Sequence, residues 1–233
     1  MMWLKMGTHS FNTAIDLCDL GLDAIEETED EFRIGAMATL RQMEKHPGLG
    51  VYSCGAVEDA LRDIVGVQFR NGATLGGSLW RRMGFSDVVA LFLAMDSSVE
   101  LFKGGVVPLE EFVRMPYDND ILVRLIVKKR PGAFAYQAVR KQRTDLPTLN
   151  CAAAKVGEEY RVVVGSRPAR AMLLRDERGI LAGGITEESA AAFADYAAGA
   201  VPVSGNMWGS AEYRRALVPV LVRRTLLDRK SVV

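Results

Sequence analysis

Residues 67–102 read VQFRNGATLGGSLWRRMGFSDVVALFLAMDSSVELF, and the succession of signals in this stretch decides the fold. Its glycines are expected to interrupt any regular element as far as an apolar helix from about Asp87 to Met95, which leads into a strand at Ser98 to Phe102. Within Arg70–Ser78 several consecutive backbone amides are left uncrowded by side chains, and Thr74 and Ser78 add hydroxyl donors. Glycine permits positive φ and close approach, so the amides of Gly76, Gly77 and Ser78 are expected to converge on a phosphate-type anion as a nest. A tight turn with no ligand is the structural alternative for such a Gly-Gly pair.

Upstream, Asn12–Leu17 is expected to form a short strand and Cys18–Glu27 a strand and turn. The acidic cluster Glu26–Glu31 reads as a solvated hairpin before a strand over Phe32–Ala36. A helix over Thr39–Lys45 should stop at Pro47-Gly48, and Val57–Val65 repeats apolar residues at helical spacing until Gly66. Downstream, LEEFVRM after Pro108 suggests a short helix and Asp120–Lys128 alternates as a strand should. The run Lys128–Gly132 combines charge with two structure breakers and is expected to be a solvated linker between domains 1–129 and 130–233. Beyond it lie strands at Ala133–Val139 and Tyr160–Gly165, a small-residue stretch at Asn150–Lys155, and helices over Thr186–Ala198 and Ala211–Leu227. The class expected is α+β, with helices segregated against antiparallel sheet.

Lysine plus arginine and aspartate plus glutamate are both 29, so no global field favours nucleic acid or an anionic membrane. Cys18, Cys54 and Cys151 contain no CxxC pair, and His9 and His46 stand far apart, so neither an iron-sulfur site nor a zinc site is suggested on this chain. Both histidines are expected at the surface. The opening residues lack a long apolar run and a small-residue cleavage pattern, which implies a cytoplasmic location.

The segment Gln68–Leu101 resembles the second flavin motif of molybdenum-hydroxylase flavin subunits, where QxRNxATIGGN precedes an aspartate and a helix ending in LxALDAxVEL. Phe32–Glu44 (FRIGAMATLRQME) is similar to the family's LRIGAxxTLxxLE, and Gly209–Leu226 to its closing helix. Arg140–Asp145 loosely resembles the basic, Asp-terminated stretch near the start of its small C-terminal domain. The resemblance implies a vanillyl-alcohol-oxidase-type FAD-binding fold of two α+β subdomains, followed by a C-terminal α+β domain of a three-stranded sheet and a helical bundle.

It further implies that Thr74, Leu75, Gly76, Gly77 and Ser78 contact the FAD diphosphate and that Asp87 hydrogen-bonds flavin-side hydroxyls, with a helix N-terminal acid as the structural alternative. Gly35 and Ala36 would let the cofactor pack closely against a strand, or belong to plain core. No catalytic residue and no metal ligand is implied here. Molybdopterin and 2Fe-2S clusters would sit on a large and a small partner subunit, with NAD or another acceptor receiving electrons. Two departures stand out. The family's first flavin loop, AGGTD or similar, has no counterpart here, which implies weaker or lost FAD retention and leaves a flavin-free assembly subunit as the alternative. WRRMGF, Trp80–Phe85, replaces small residues and a proline, and Arg81 and Arg82 are expected in a solvated turn.

Overall fold

The computed structural model describes Gly7, Ser10 and residues 12–228. His9 lies outside the described residues. Residues 12–17 do not form the expected strand; they are irregular and mostly exposed, with a single 3-10 turn following at Cys18–Leu20. Pairing begins with the hairpin of β1 (Ile25–Glu27) and β2 (Glu31–Gly35), which sets Glu27 opposite Phe32. The Thr28 hydroxyl accepts from the amides of Asp30 and Glu31 and closes the acidic turn. β2 buries Phe32 and Ile34 and exposes Arg33, the period-two pattern of a strand with one covered face.

Strands β3 (Ser98–Leu101), β4 (Gly105–Pro108) and β5 (Leu122–Lys128) complete a five-stranded antiparallel sheet of order β1-β2-β5-β3-β4. Its inner face carries Phe32, Ile34, Val99, Leu101, Leu125 and Val127 into one core with the helices. These are α1 (Leu40–Lys45), α2 (Pro47–Tyr52), α3 (Ala56–Leu61), α4 (Val67–Gly72), α5 (Leu75–Trp80), α6 (Asp87–Ala94) and α7 (Leu109–Phe112). The first helix stops at Lys45 as expected, with His46 extended before Pro47, and Pro47 then opens the next helix, because the first helical position needs no amide hydrogen. His46 caps it, accepting from the Leu49 amide at 3.2 Å while its ring edges Phe32, so it is half-buried and not a free surface group.

All eight residues of α6 are buried, and a helix apolar all round belongs at the centre of a fold. One side of α6 meets α3, α5 and α7; the other meets the second sheet. That sheet is antiparallel β6 (Gly132–Arg140), β7 (Pro147–Val156), β8 (Glu159–Gly165) and β9 (Met172–Arg175), so it has four strands, not three, and a pair of helices, α8 (Glu187–Ala200) and α9 (Ala211–Leu226), covers it. β9 escapes sequence reading because MLLR has no alternation; it is set by its ladder with β8 and by Arg175, which bonds both Glu110 and Glu159.

β7 is covered on both faces. Leu149, Cys151 and Ala153 join the core under α8 and α9, while Ala152, Ala154 and Val156 join the core around α6. The small side chains of Cys151–Ala154 let helices approach both sides of the strand. Arg161 on β8 seals the end of α6, donating to the carbonyls of Ala94 at 3.2 Å and Leu93 at 3.1 Å, where the helix leaves acceptors open. The run 128–132 is exposed except at half-buried Lys129, as expected, but it is pinned in place: Lys129 pairs with Glu27 at 2.8 Å and lies over the Phe32 ring, and Arg130 pairs with Asp96 at 2.8 Å.

A buried clamp fixes the start of the glycine segment. Glu44 on α1 accepts from Arg70 at 2.8 Å and from Arg41 at 2.7 Å. Burial works against the charge on Glu44, but Arg70 and Arg41 outweigh it and hold the carboxyl below its ordinary range. A depressed folded-state value gives stability that is fully present above the unfolded value of about 4.3 and is lost as pH falls through the lower folded value. Thermal melts of Glu44→Gln and wild type should therefore differ most above pH 5 and converge towards pH 3. A constant difference across that range would mean that the carboxylate charge contributes nothing.

Candidate functional site

The glycine segment is more regular than its composition implies. Val67–Gly72 and Leu75–Trp80 are both helical, parted only by Ala73 and Thr74, and neither Gly76 nor Gly77 has positive φ. Thr74 begins α5 as its N-cap, its Oγ1 accepting from the Gly77 amide at 3.2 Å. The Leu75 amide donates to the Ala38 carbonyl and the Gly76 amide to the Ala36 carbonyl, while the Ser78 amide donates to Thr74 O. The expected nest of free amides is therefore not formed: the segment is stitched to the end of β2.

The glycines divide by what surrounds them. A Cβ on Gly76 would lie 2.8 Å from Ala36 O and 2.9 Å from Ala36 Cβ, so this glycine serves the packing of α5 on β2. A Cβ on Gly35 would lie 2.1 Å from Leu22 O, so Gly35 admits the chain that precedes β1, and Ala36 is plain core. Gly77 differs: a Cβ there would meet only Thr74 Oγ1 at 3.2 Å, and the residue is exposed. Of the eight residues expected to hold FAD, Thr74 keeps a hydroxyl hydrogen and Gly77 open space that suit an anionic group; half-buried Ser78 lies beside them but gives both its amide and its hydroxyl to Thr74 O. Leu75 and Gly76 are buried, and their amides are already bonded within the chain.

Asp87 departs furthest from expectation. It follows the N-cap Ser86 at the first position of α6, as the structural alternative had it, yet it is 5% exposed and turned towards the C-terminal sheet. Its carboxylate accepts from the Tyr136 hydroxyl in a short bond, from Asn150 Nδ2 at 3.1 Å and from Arg140 Nη2 at 2.9 Å. Burial, then the Asp87 charge, pushes the Tyr136 hydroxyl well above its usual range, so it stays protonated and donates. Burial works against the Arg140 charge, but Asp87 outweighs it and holds the guanidinium above its usual range. These partners were not singled out as a site from sequence. A signal existed: Tyr136 and Arg140 are four apart on one strand and so share a face, and Asn150 interrupts an apolar run on the paired strand opposite Ala138. Beside the network lies a polar cavity of about 460 Å³, lined among others by Arg62, Asp63, Tyr136, Gln137 and Arg143.

Arg82 is not in a solvated turn either. It is 4% exposed, with its guanidinium 4.0 Å from the Phe112 ring, 4.9 Å from Tyr117 and 5.2 Å from Trp80, and its Nε donates to Phe112 O at 2.9 Å. Among the described residues no group of three or more histidines, cysteines or carboxylates is placed to hold a metal, and no helix is long and apolar enough to cross a membrane.

An antiparallel sheet with covering helices, joined through a central apolar helix to a second sheet and helix pair, is the fold of carbon monoxide dehydrogenase flavoprotein subunits. A chain of the Cu,Mo-CO dehydrogenase superposes with TM-score 0.84 at 20% identity, over 98% of this chain and 86% of that one. A chain of the Hydrogenophaga pseudoflava carbon monoxide dehydrogenase superposes with TM-score 0.78 at 23% identity, over 91% and 79%. Sequence comparison carries this from fold to family. Residues 1–129 match the FAD binding domain in molybdopterin dehydrogenase, and residues 134–228 match the CO dehydrogenase flavoprotein C-terminal domain. The chain belongs to the family of FAD-binding medium subunits of molybdenum hydroxylases. It is 27% identical to the nicotine 6-hydroxylase medium subunit of Paenarthrobacter nicotinovorans, covering 93% of this chain and 82% of that protein. It is also 26% identical to the uncharacterized protein YgfM of Escherichia coli K12, covering 92% and 79%.

Proposed function

We propose that this chain holds FAD against the open face of Thr74, Gly77 and Ser78 and serves as the electron-transfer subunit of a cytoplasmic molybdenum hydroxylase. Residues 1–129 form the FAD-binding domain and 130–233 the C-terminal domain. An iron-sulfur small subunit and a molybdopterin large subunit supply the electrons, and NAD or another acceptor receives them. The observation that carries the reading is Gly77, an exposed glycine with open space over its Cα in a chain whose family binds FAD. Bound FAD supplies the electron exchange, for which these side chains offer no substitute.

The chain's own residues position and shape. The Thr74 hydroxyl has a hydrogen left to donate, and Gly77, whose own amide is given to Thr74 Oγ1, leaves open space over its Cα for the cofactor to approach the backbone. Leu75, Gly76, Gly35 and Ala36 hold that face rigidly on β2 and its flanking chain. Asp87 ties the corner between α5 and α6 to the C-terminal sheet, fixing the two sheets relative to one another. The substrate, heteroaromatic or aldehyde in class as in xanthine dehydrogenase-like enzymes, meets the molybdenum subunit and not this chain. The name of the nicotine 6-hydroxylase relative supports the heteroaromatic choice.

A second reading, a flavin-free assembly subunit, draws on the amides of Leu75 and Gly76 and the carboxylate of Asp87, all committed to partners inside the protein. Affinity purification of the tagged chain from its native cells separates the two. The first reading expects two further polypeptides with stoichiometric FAD, molybdenum and iron. A complex with both metals and no flavin would favour the assembly role, and a lone chain without metals would contradict both.

A further inference from the structure

Helix α9 carries apolar residues on two sides. Val218, Leu221, Val222 and Leu226 are buried and belong to the side that packs on the second sheet and on α8. The other side carries Tyr213, 51% exposed, then exposed Ala216, half-buried Leu217 and Val220, 44% exposed. These stand at i, i+3, i+4 and i+7, the recurrence by which a helix seats on a partner. Single exposed apolar residues are ordinary, but a stripe at this spacing is not. Beside Val220 a groove of about 720 Å³ runs along α8 and α9, lined in part by Ala191, Ala194 and Pro219. Side chains this small let a second helix come close.

Charge at the two ends of the stripe is opposite in sign. Glu212 stands at its start and Arg223 and Arg224 at its end, all exposed. Arg215 adds favourable charge to Glu212 along the same helix, and Arg223 meets Glu187 on α8 at 2.6 Å. Both pairings stay at the surface, where such pairs are weak, so the charges remain available to a partner.

The pattern is symmetric about Val218. Ala216 and Val220 lie two residues either side of it, and Glu212 and Tyr213 lie six and five residues before it, as far as Arg224 and Arg223 lie after it. A two-fold axis at Val218 that lays α9 antiparallel over the same helix of a second copy therefore sets Ala216 against Val220 and the acidic end against the basic end. Unlike charges meet at both ends at once, Tyr213 gains a guanidinium beside its ring, and the helix dipoles oppose. A parallel arrangement would instead bring the two arginine ends together.

We propose that this chain pairs with a second copy of itself through the outer stripe of α9, the two helices running antiparallel. The pairing does not depend on the flavin reading.

Sedimentation equilibrium of the full chain tests it. The mass should rise from that of one chain towards two as concentration passes through the micromolar range, the affinity expected of a small contact. Val220→Arg, at an exposed position, should raise the dissociation constant at least about tenfold without changing the circular dichroism spectrum. Glu212→Lys should weaken pairing similarly, because it then faces like charge. Combining Glu212→Lys with Arg224→Glu, which leaves the Arg223–Glu187 pair in place, should restore pairing to within about threefold; the two positions lie about 18 Å apart along one helix, so only a second copy brings them together. A dimer that Val220→Arg leaves unchanged, or no recovery in the double variant, would overturn the proposal. So would a chain that stays monomeric throughout, and loss of a different polypeptide from Val220→Arg purified from native cells would then give this face to another subunit.

Discussion

Asp87→Ala should cost about 3–5 kcal/mol of unfolding free energy, because it strands Arg140 as a buried cation without its carboxylate. The hydroxyl of Tyr136 and the amide of Asn150 lose their acceptor in the same step. Asp87→Asn keeps an acceptor oxygen and should lose less. Tyr136→Phe removes one donor while leaving the Arg140 pair, so a loss of about 1–2 kcal/mol is expected. Urea unfolding of the three variants measures this order directly. If Asp87→Ala kept wild-type stability and lowered only FAD affinity, Asp87 would be a flavin ligand and not the tie between the sheets.

The second large effect separates two adjacent glycines. Gly76→Val drives a side chain into Ala36 and should destabilise the protein by about 3 kcal/mol, the upper part of the usual range for overpacking. Gly77→Val places its side chain in open space, with only the flexible Thr74 hydroxyl to move, and should keep the fold within about 1 kcal/mol. Chemical denaturation followed by circular dichroism distinguishes them. Equal losses would mean that Gly77 is also a packing residue.

Most of the architecture was legible because its signals are local. The alternation in β5, the continuous apolar run of α6 and the Thr186 start of α8 each act within a few residues of themselves. What stayed hidden depends on distant partners. Pro47 reads equally as a stop or a start until the helix after it is known to form. Gly76 looks like a ligand-loop glycine until Ala36 is seen against it. Asp87 reads as a flavin contact or a helix N-terminal acid, and Arg82 as part of a solvated turn, because single-sequence patterns do not show which loops and strands close over them. The family motif pointed to one segment, while the surroundings of each residue in that segment were decided by tertiary packing.

The central claim, that FAD lies against Thr74, Gly77 and Ser78, is tested most directly by titrating FAD into the wild-type chain and Gly77→Val, each co-expressed with its partner subunits, following flavin absorbance and fluorescence quenching. Saturable binding by wild type, a loss of at least tenfold in affinity for Gly77→Val and identical circular dichroism spectra are the predicted result. Flavin content in Gly77→Val equal to wild type, or no saturable binding by wild type at all, would contradict the account.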